Sequence, residues 1–403
     1  MTSLRLLILL IVAAGVFHVA TEPVQAGVDT VTDQPLDEYR IQLLDLAFES
    51  ASKFPLDPFI KDRSREQDKV VAACFELDQP QRALRYSQQI KNWRRGACLA
   101  DYAFYCAQHG QTKGLETYLN EAEALSMSAS LQWRRDRVRA NIARTHLLLG
   151  REFEAKQMLA GLEDSEIGKI EAVRASLSSA DDFDQRIATL DSLVATKKFD
   201  VMKNALESAT KLYDRFYDDA VRRQTVRRKL VDNSVTMPVM FRVDLVSELV
   251  KIALAHEDPD TATQVLDEVM LLFKGSNWPA EYYVPLAARL AMLRGRCGDR
   301  EQAREQLADT LKIYEQYENR FLDIDRSDAL RPIAEAYHAI GDRSDALVIY
   351  KKAVEKGVEN PNARPRAVDL SATCVSMAVN GFEPDAALWA RLRQIHQGLK
   401  QPW

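Results

Sequence analysis

Residues able to do chemistry are sparse in this chain, and their spacing is not that of a site. Past the N-terminal stretch there are five histidines, His109, His146, His256, His338 and His396, and five cysteines, Cys74, Cys98, Cys106, Cys297 and Cys374. No histidine has a second His or Cys at metal-ligand spacing on the same helix face, and no CxxC pair occurs, so no metal is expected. His109 and His256 each precede a helix break, where imidazole can bond the last carbonyls, and a structural role is the simpler expectation for all five. Cys98 and Cys106 share one predicted helix, roughly 12 Å apart and too far to bridge each other. The thiols read as small apolar core residues, with one bridge between neighbouring helices, such as Cys74 with Cys106, as the alternative. GxSxG, GxxxxGK[ST], HExxH and GxGxxG are all absent, so neither a catalytic centre nor a cofactor is expected.

Arginine is the more conspicuous polar residue. Arg222, Arg223, Arg227, Arg228 and Lys229 form one basic cluster, and Arg134, Arg135, Arg137, Arg139 and Arg144 another. On a helix Arg223 and Arg227 share a face, as do Arg137 and Arg144, an arrangement suited to bidentate contacts with an anionic partner. The competing reading is a solvated face paired with Asp136, Asp218 and Asp219, whose exposed pairs are worth roughly 0–1 kcal/mol. A formal charge of −5 over the whole chain argues neither for nor against nucleic acid, and no nucleic-acid partner is expected.

The elements that must position these side chains are helices. The 403 residues include only 15 Gly and 14 Pro, and the stretches between them place apolar residues at helical spacing, so the fold class is all-α. Residues 1–26 read as a secretory signal: Arg5, an apolar run from Leu6 to Val19, then Val24-Gln25-Ala26 as a small-residue cleavage site. An uncleaved anchor is the alternative, but the run falls short of the roughly 20 residues that span a bilayer. Export to the periplasm or exterior is expected, with no membrane span in the mature chain. Residues 27–63 make a polar segment and one helix, whose stripe Ile41, Leu44, Phe48 and Ala51 ends at Pro55 and Pro58.

Beyond residue 63 the chain repeats. A break residue followed five positions later by a small or apolar one recurs at Asp78/Ala83, Gly110/Leu115, Gly150/Ala155, Glu257/Ala262, Gly298/Ala303, Gly341/Ala346 and Gly381/Ala386, and more weakly at Thr196/Val201. Seven positions before each break stands a second contact site: Val71, Ala103, Ala143, Thr189, Val250, Ala291, Ala334 and Cys374. Glycine ends a helix in the left-handed conformation at low cost, and small residues let two antiparallel helices approach. Asp342 is placed to cap the helix after Gly341, Asp258 with Pro259 and Asp299 with Gln302 are further start signals, and Pro80 and Pro384 fall in first turns. A hairpin of this kind leaves one face uncovered and needs neighbours.

The clearest unit is AEAYHAIGDRSDALVIYKKA, residues 334–353. Its Ala334, Tyr337, Gly341, Ala346, Tyr350 and Ala353 occupy the signature places of the tetratricopeptide repeat (TPR) family, which the chain resembles, divergently, over residues 64–399. The resemblance implies a right-handed α-solenoid of about seven to eight antiparallel hairpins. An N-terminal array (64–235) and a C-terminal array (236–403) are expected to bend or divide within the 61-residue interval from Thr196 to Glu257, and helix 385–399 is expected to cap the end.

In the family the first helix of each pair lines a concave groove that binds extended peptides. Carried over, the groove positions are Arg137 and Arg144, Asp244 and Lys251, and Asp328, Arg331, Glu335 and His338. They do not repeat the basic-and-asparagine clamp by which some members hold a C-terminal carboxylate. The expected function is an exported, non-catalytic scaffold for a protein or peptide partner. One alternative is a helical-toroid enzyme acting on polysaccharide, which needs paired carboxylates beside aromatics, whereas Trp93, Trp133, Trp278, Trp389 and Trp403 are scattered. The other is a structural or assembly role in an envelope complex.

Overall fold

The computed structural model describes residues 31–162 and 164–403, and the segment read as a secretory signal lies outside them. Among the described residues all regular structure is helical, and no helix is long and apolar enough to cross a membrane. A first helix, α1 (Glu38–Ser52), precedes nine consecutive pairs. Three pairs come first: α2 (Leu56–Glu76) with α3 (Pro80–Ser87), α4 (Arg94–Gln108) with α5 (Leu115–Met127), and α6 (Gln132–Leu148) with α7 (Glu152–Leu159). Next are α8 (Asp164–Leu177) with α9 (Phe183–Ala195), α10 (Phe199–Arg215) with α11 (Ala220–Ser234), and α12 (Val239–Ala255) with α13 (Pro259–Lys274). Last come α14 (Ala280–Arg296) with α15 (Arg300–Tyr317), α16 (Asp323–Ala339) with α17 (Arg343–Lys356), and α18 (Ala363–Asn380) with α19 (Ala386–Gln397).

The turns show why these residues fold back on themselves. Asp78, Gly110, Gly150, Glu257, Gly298, Gly341 and Gly381 all have positive φ, between 53° and 103°. After each, the next N–H bonds the carbonyl five residues back, as in Asp342 to Tyr337 and Phe382 to Met377, both 2.9 Å. That bond satisfies carbonyls the helix end would otherwise leave open. Both contact columns are buried: Val71, Ala103, Ala143, Val250, Ala291, Ala334 and Cys374 on the first helices, and Ala83, Leu115, Ala155, Ala262, Ala303 and Ala346 on the second. Tyr337, Tyr350 and Ala353 are buried with them.

Several expectations are corrected. At Thr196 the left-handed residue is its neighbour Lys197, and it separates α9 from α10, between pairs and not within one. The stretch from Gly150 to Glu257 thus holds two whole pairs whose internal turns, 178–182 and 216–219, use no left-handed residue and so carry no glycine signal. Ala386 is exposed, because α19 starts late: the Asp385 carboxylate accepts from the Leu388 N–H at 2.7 Å, and Leu388 takes the buried place. Pro384 accordingly stands outside the helix. Asp258 and Asp299 cap their helices, accepting from Thr261 and Gln302 at 3.0 and 3.1 Å, but Asp342 instead pairs with Arg304 at 2.9 Å. All five cysteines are unpaired, so the alternative bridge is not made.

The array closes on itself. Each even-numbered helix packs on the next from α2 to α18, and α18 packs on α2; the odd-numbered helices form a second layer against them. The seam is α1, which runs antiparallel to α18. Near its start Tyr39 Oη donates to the Gly381 carbonyl at 2.8 Å and Arg40 Nε to the Ala378 carbonyl at 2.7 Å. Near its end Ser50 Oγ is 3.0 Å from His396 Nδ1, and the Phe54 and Trp403 rings are 5.4 Å apart. Its other side meets α3, where Phe48 stacks on Tyr86 at 4.1 Å and Asp45 binds Arg82 and Tyr86. Leu43, Leu44 and Phe48 belong to the same core as Leu370, Met377 and Phe382, and burying side chains of this size contributes about 1.5–3 kcal/mol each. Helix α19 therefore packs beside α1 instead of capping an open end. No break in the core marks residue 235: Leu230, Met237 and Val243 share one cluster.

Candidate functional site

Two clefts are lined by even-numbered helices alone, on the face these turn away from the odd-numbered layer. On α12, Val243, Leu249, Val250, Ile252 and Ala253 are buried, while Asp244, Glu248 and Lys251 follow one another at helical spacing along the open stripe. With Lys211 of α10 and Arg289 of α14 they rim a cavity of about 380 Å³ floored by Phe241, Leu286 and Leu290. Arg289 pairs with Asp244 at 3.0 Å, Lys251 with Glu248 at 3.1 Å, and Lys211 approaches Glu248 at 4.0 Å. These pairs are about half exposed, so they add roughly 0–1 kcal/mol to stability and cost little to exchange for the charges of a ligand.

The second cleft, about 250 Å³, lies between α2, α4 and α6 and is lined by Asp68, Phe75, Asp101, Phe104, Tyr105 and Arg144. Arg144 donates to Asp101 at 2.7 Å while its guanidinium lies 4.5 Å from the centre of the Phe104 ring. Asn141 donates to Asp101 at 2.9 Å, Arg94 pairs with Asp68, and Cys98 Sγ donates to Asp68 at 3.2 Å. The arrangement is an aromatic wall with oriented carboxylates and a planar cation, able to hold a polar, extended ligand.

Of the groove residues named from the sequence, the structure places Arg144, Asp244 and Lys251 in these clefts. Arg137 is half-buried on α6 and lines neither. Three of the four on α16 are taken up by packing on α18 and the turn after it, while Asp328 stays exposed and pairs with Arg331 of its own helix. Arg331 is a correction: only 9% exposed, it is held by Ser327 at 2.8 Å, by Asp369 at 3.3 Å, and by Asp328, and faces no groove. Glu335 accepts from Ser376 Oγ at 2.6 Å. His338 stands edge-on to Phe382 at 5.3 Å, and burial, then Arg343, push its pKa down.

The residues the sequence reading passed over are Asp101, Asn141, Glu248 and Arg289. All occupy one place, two residues before the buried contact sites Ala103, Ala143, Val250 and Ala291. That column was legible, since four polar residues recur roughly half a helical turn, and so on the other face, from a column of mostly small ones. Among the described residues no group of His, Cys, Asp or Glu is gathered to hold a metal ion.

No protein-family model and no curated protein matches the chain. Among solved structures it is similar to a circular tandem repeat protein described as having novel repeat topology and enhanced subunit contact surfaces. The alignment covers 90% of this chain and 94% of that one, with 12% identity and a TM-score of 0.25. A likeness so distant carries no argument; the fold rests on the packing described above.

Proposed function

We propose that this chain is an exported, TPR-like scaffold that holds an extended segment of another protein against the even-numbered face of its ring. The observation that carries this reading is the pair of clefts there, each with an apolar floor or wall and a rim of opposed charges. An extended peptide offers apolar and charged side chains in alternation. The floor gains by burying the first, and the rim exchanges its exposed pairs for the second.

The test places a photocrosslinking residue at Glu248 in the purified protein and exposes it to envelope extract of the native host. The expected result is a crosslinked peptide mapped by mass spectrometry to the α10, α12 and α14 cleft, its yield falling at least about tenfold when Asp244→Arg and Lys251→Glu reverse the rim. Absence of any crosslinked peptide, or a yield indifferent to the reversal, overturns the reading.

Ring closure favours one competing reading, the helical toroid acting on polysaccharide. Asp68 and Asp101 beside Phe104 and Tyr105 are the carboxylates it would use, although an arginine already engages each. Release of reducing ends from an envelope polysaccharide, abolished by Asp101→Asn, would establish it in place of the scaffold.

A further inference from the structure

The two rims of the ring are built from different connections. Even-to-odd turns make one, and it is rich in acids at the starts of the odd-numbered helices: Asp219, Asp258, Asp299, Asp342 and Asp385. Odd-to-even connections make the other; single large apolar side chains stand in water on both rims, as Phe153 and Val221 do on the first, but one odd-to-even link gathers three. In the link from α5 to α6, Met127 is 73% exposed, Leu131 44% and Trp133 43%. Phe199 at the start of α10, Val235 before α12 and Leu322 before α16 are exposed on the same rim. A solitary exposed apolar residue is ordinary; three at one tip are not.

Beside that tip opens a cavity of about 390 Å³, lined among others by Lys91, Asn92, Arg95, Ser128 and Arg134. Trp133 meets Trp93 edge to face at 5.3 Å, and the Arg134 guanidinium sits 5.2 Å from the Trp133 ring centre, which holds the cation at the tip. Arg95 is paired with Glu121. Among the described residues Lys91 and Arg134 have no carboxylate partner, so the cavity mouth keeps uncompensated positive charge.

We propose that this tip is a peripheral anchor for an anionic lipid surface. The lipid phosphate sits in the cavity against Lys91 and Arg134, and Met127, Leu131 and Trp133 enter the headgroup and upper acyl region. Complementarity selects this occupant. A soluble anion would leave Met127 and Leu131 in water, an apolar partner would leave Lys91 and Arg134 without counter-charge, and a bilayer surface satisfies both within a few ångströms. Standing on this rim, the ring keeps its even-numbered face open, so this inference and the proposed function stand or fall separately.

The test is co-sedimentation of the full-length purified protein with vesicles of phosphatidylglycerol mixed with phosphatidylcholine, and with phosphatidylcholine alone. Binding is expected to the first only and to weaken with salt. Lys91→Glu with Arg134→Glu, and separately Met127→Ser with Leu131→Ser, should each lower it at least about tenfold. Both sets should leave the melting temperature unchanged, and Val221→Ser on the opposite rim should leave binding unchanged. Several results would overturn the proposal: failure of the wild type to bind anionic vesicles, binding undiminished in either variant, or equal binding to phosphatidylcholine. So would capture of free glycerol phosphate without vesicle binding, or a dimer that dissociates on Met127→Ser with Leu131→Ser, which would identify a second copy as the occupant.

Discussion

Arg331 and Asp369 show how far a single side chain can depart from its place in a pattern. Both are more than nine-tenths buried, and burial pushes the Asp369 carboxyl up to about 6 against the opposing pull of Arg331. A carboxyl whose folded pKa lies above its unfolded value of about 3.9 contributes stability that is fully present below the unfolded value and lost as pH rises through about 6. In Arg331→Met the carboxylate loses its cation and its pKa rises further. The expected cost is about 3–5 kcal/mol near pH 8, shrinking near pH 5 as Asp369 takes up a proton. Urea denaturation at both pH values checks this, and a cost independent of pH would show that Asp369 is not the group left stranded.

Helix breaks are where elements are specified. Glu257 holds positive φ without glycine and, among the described residues, without a side-chain partner, whereas Asp78 in the same conformation accepts from Tyr105 Oη at 2.8 Å. The left-handed conformation costs a residue with a Cβ about 1–2 kcal/mol, and glycine returns about 0.4–1 kcal/mol to the unfolded chain. Glu257→Gly is therefore expected to stabilise by about 0.5–1 kcal/mol, while Asp78→Gly gains nothing net because its hydrogen bond is lost. Equilibrium denaturation of the two variants reads the difference. A different device joins α8 to α10: a Cβ on Gly168 would lie 2.1 Å from Asn204 Cβ, so only glycine permits that approach.

Across the molecule, ion pairs join neighbouring even-numbered helices. Arg94 with Asp68, Arg144 with Asp101, Arg289 with Asp244 and Arg331 with Asp369 each bridge one junction, and Arg364 with Asp62 at 3.5 Å bridges α18 to α2 across the closure. Nine helices spaced about 9–10 Å apart around a ring leave an opening on the order of 15 Å, enough for an extended chain or one helix. The seam depends on α1. A chain lacking residues 1–54 should melt at a lower temperature and show a larger radius of gyration in small-angle scattering. An unchanged radius would show that the α18–α2 contact alone keeps the ring shut.

The hairpins were legible because what makes them is local: a left-handed turn needs Gly341 or Gly298 within a few residues of its helix, and two close backbones need Ala334 opposite Ala346. The unit count fell short only where turns such as 216–219 dispense with that signal. Closure was not legible, since it is the sum of small rotations between successive pairs, fixed by contacts such as that of Gly168 with Asn204 between residues distant in the chain. The same reason decided the clefts: Asp244 and Glu335 occupy comparable faces of their helices, but α12 stands apart from its neighbours while α16 packs down on α18. Helix and turn are properties of neighbours along the chain; which polar stripe stays open is a property of neighbours in space.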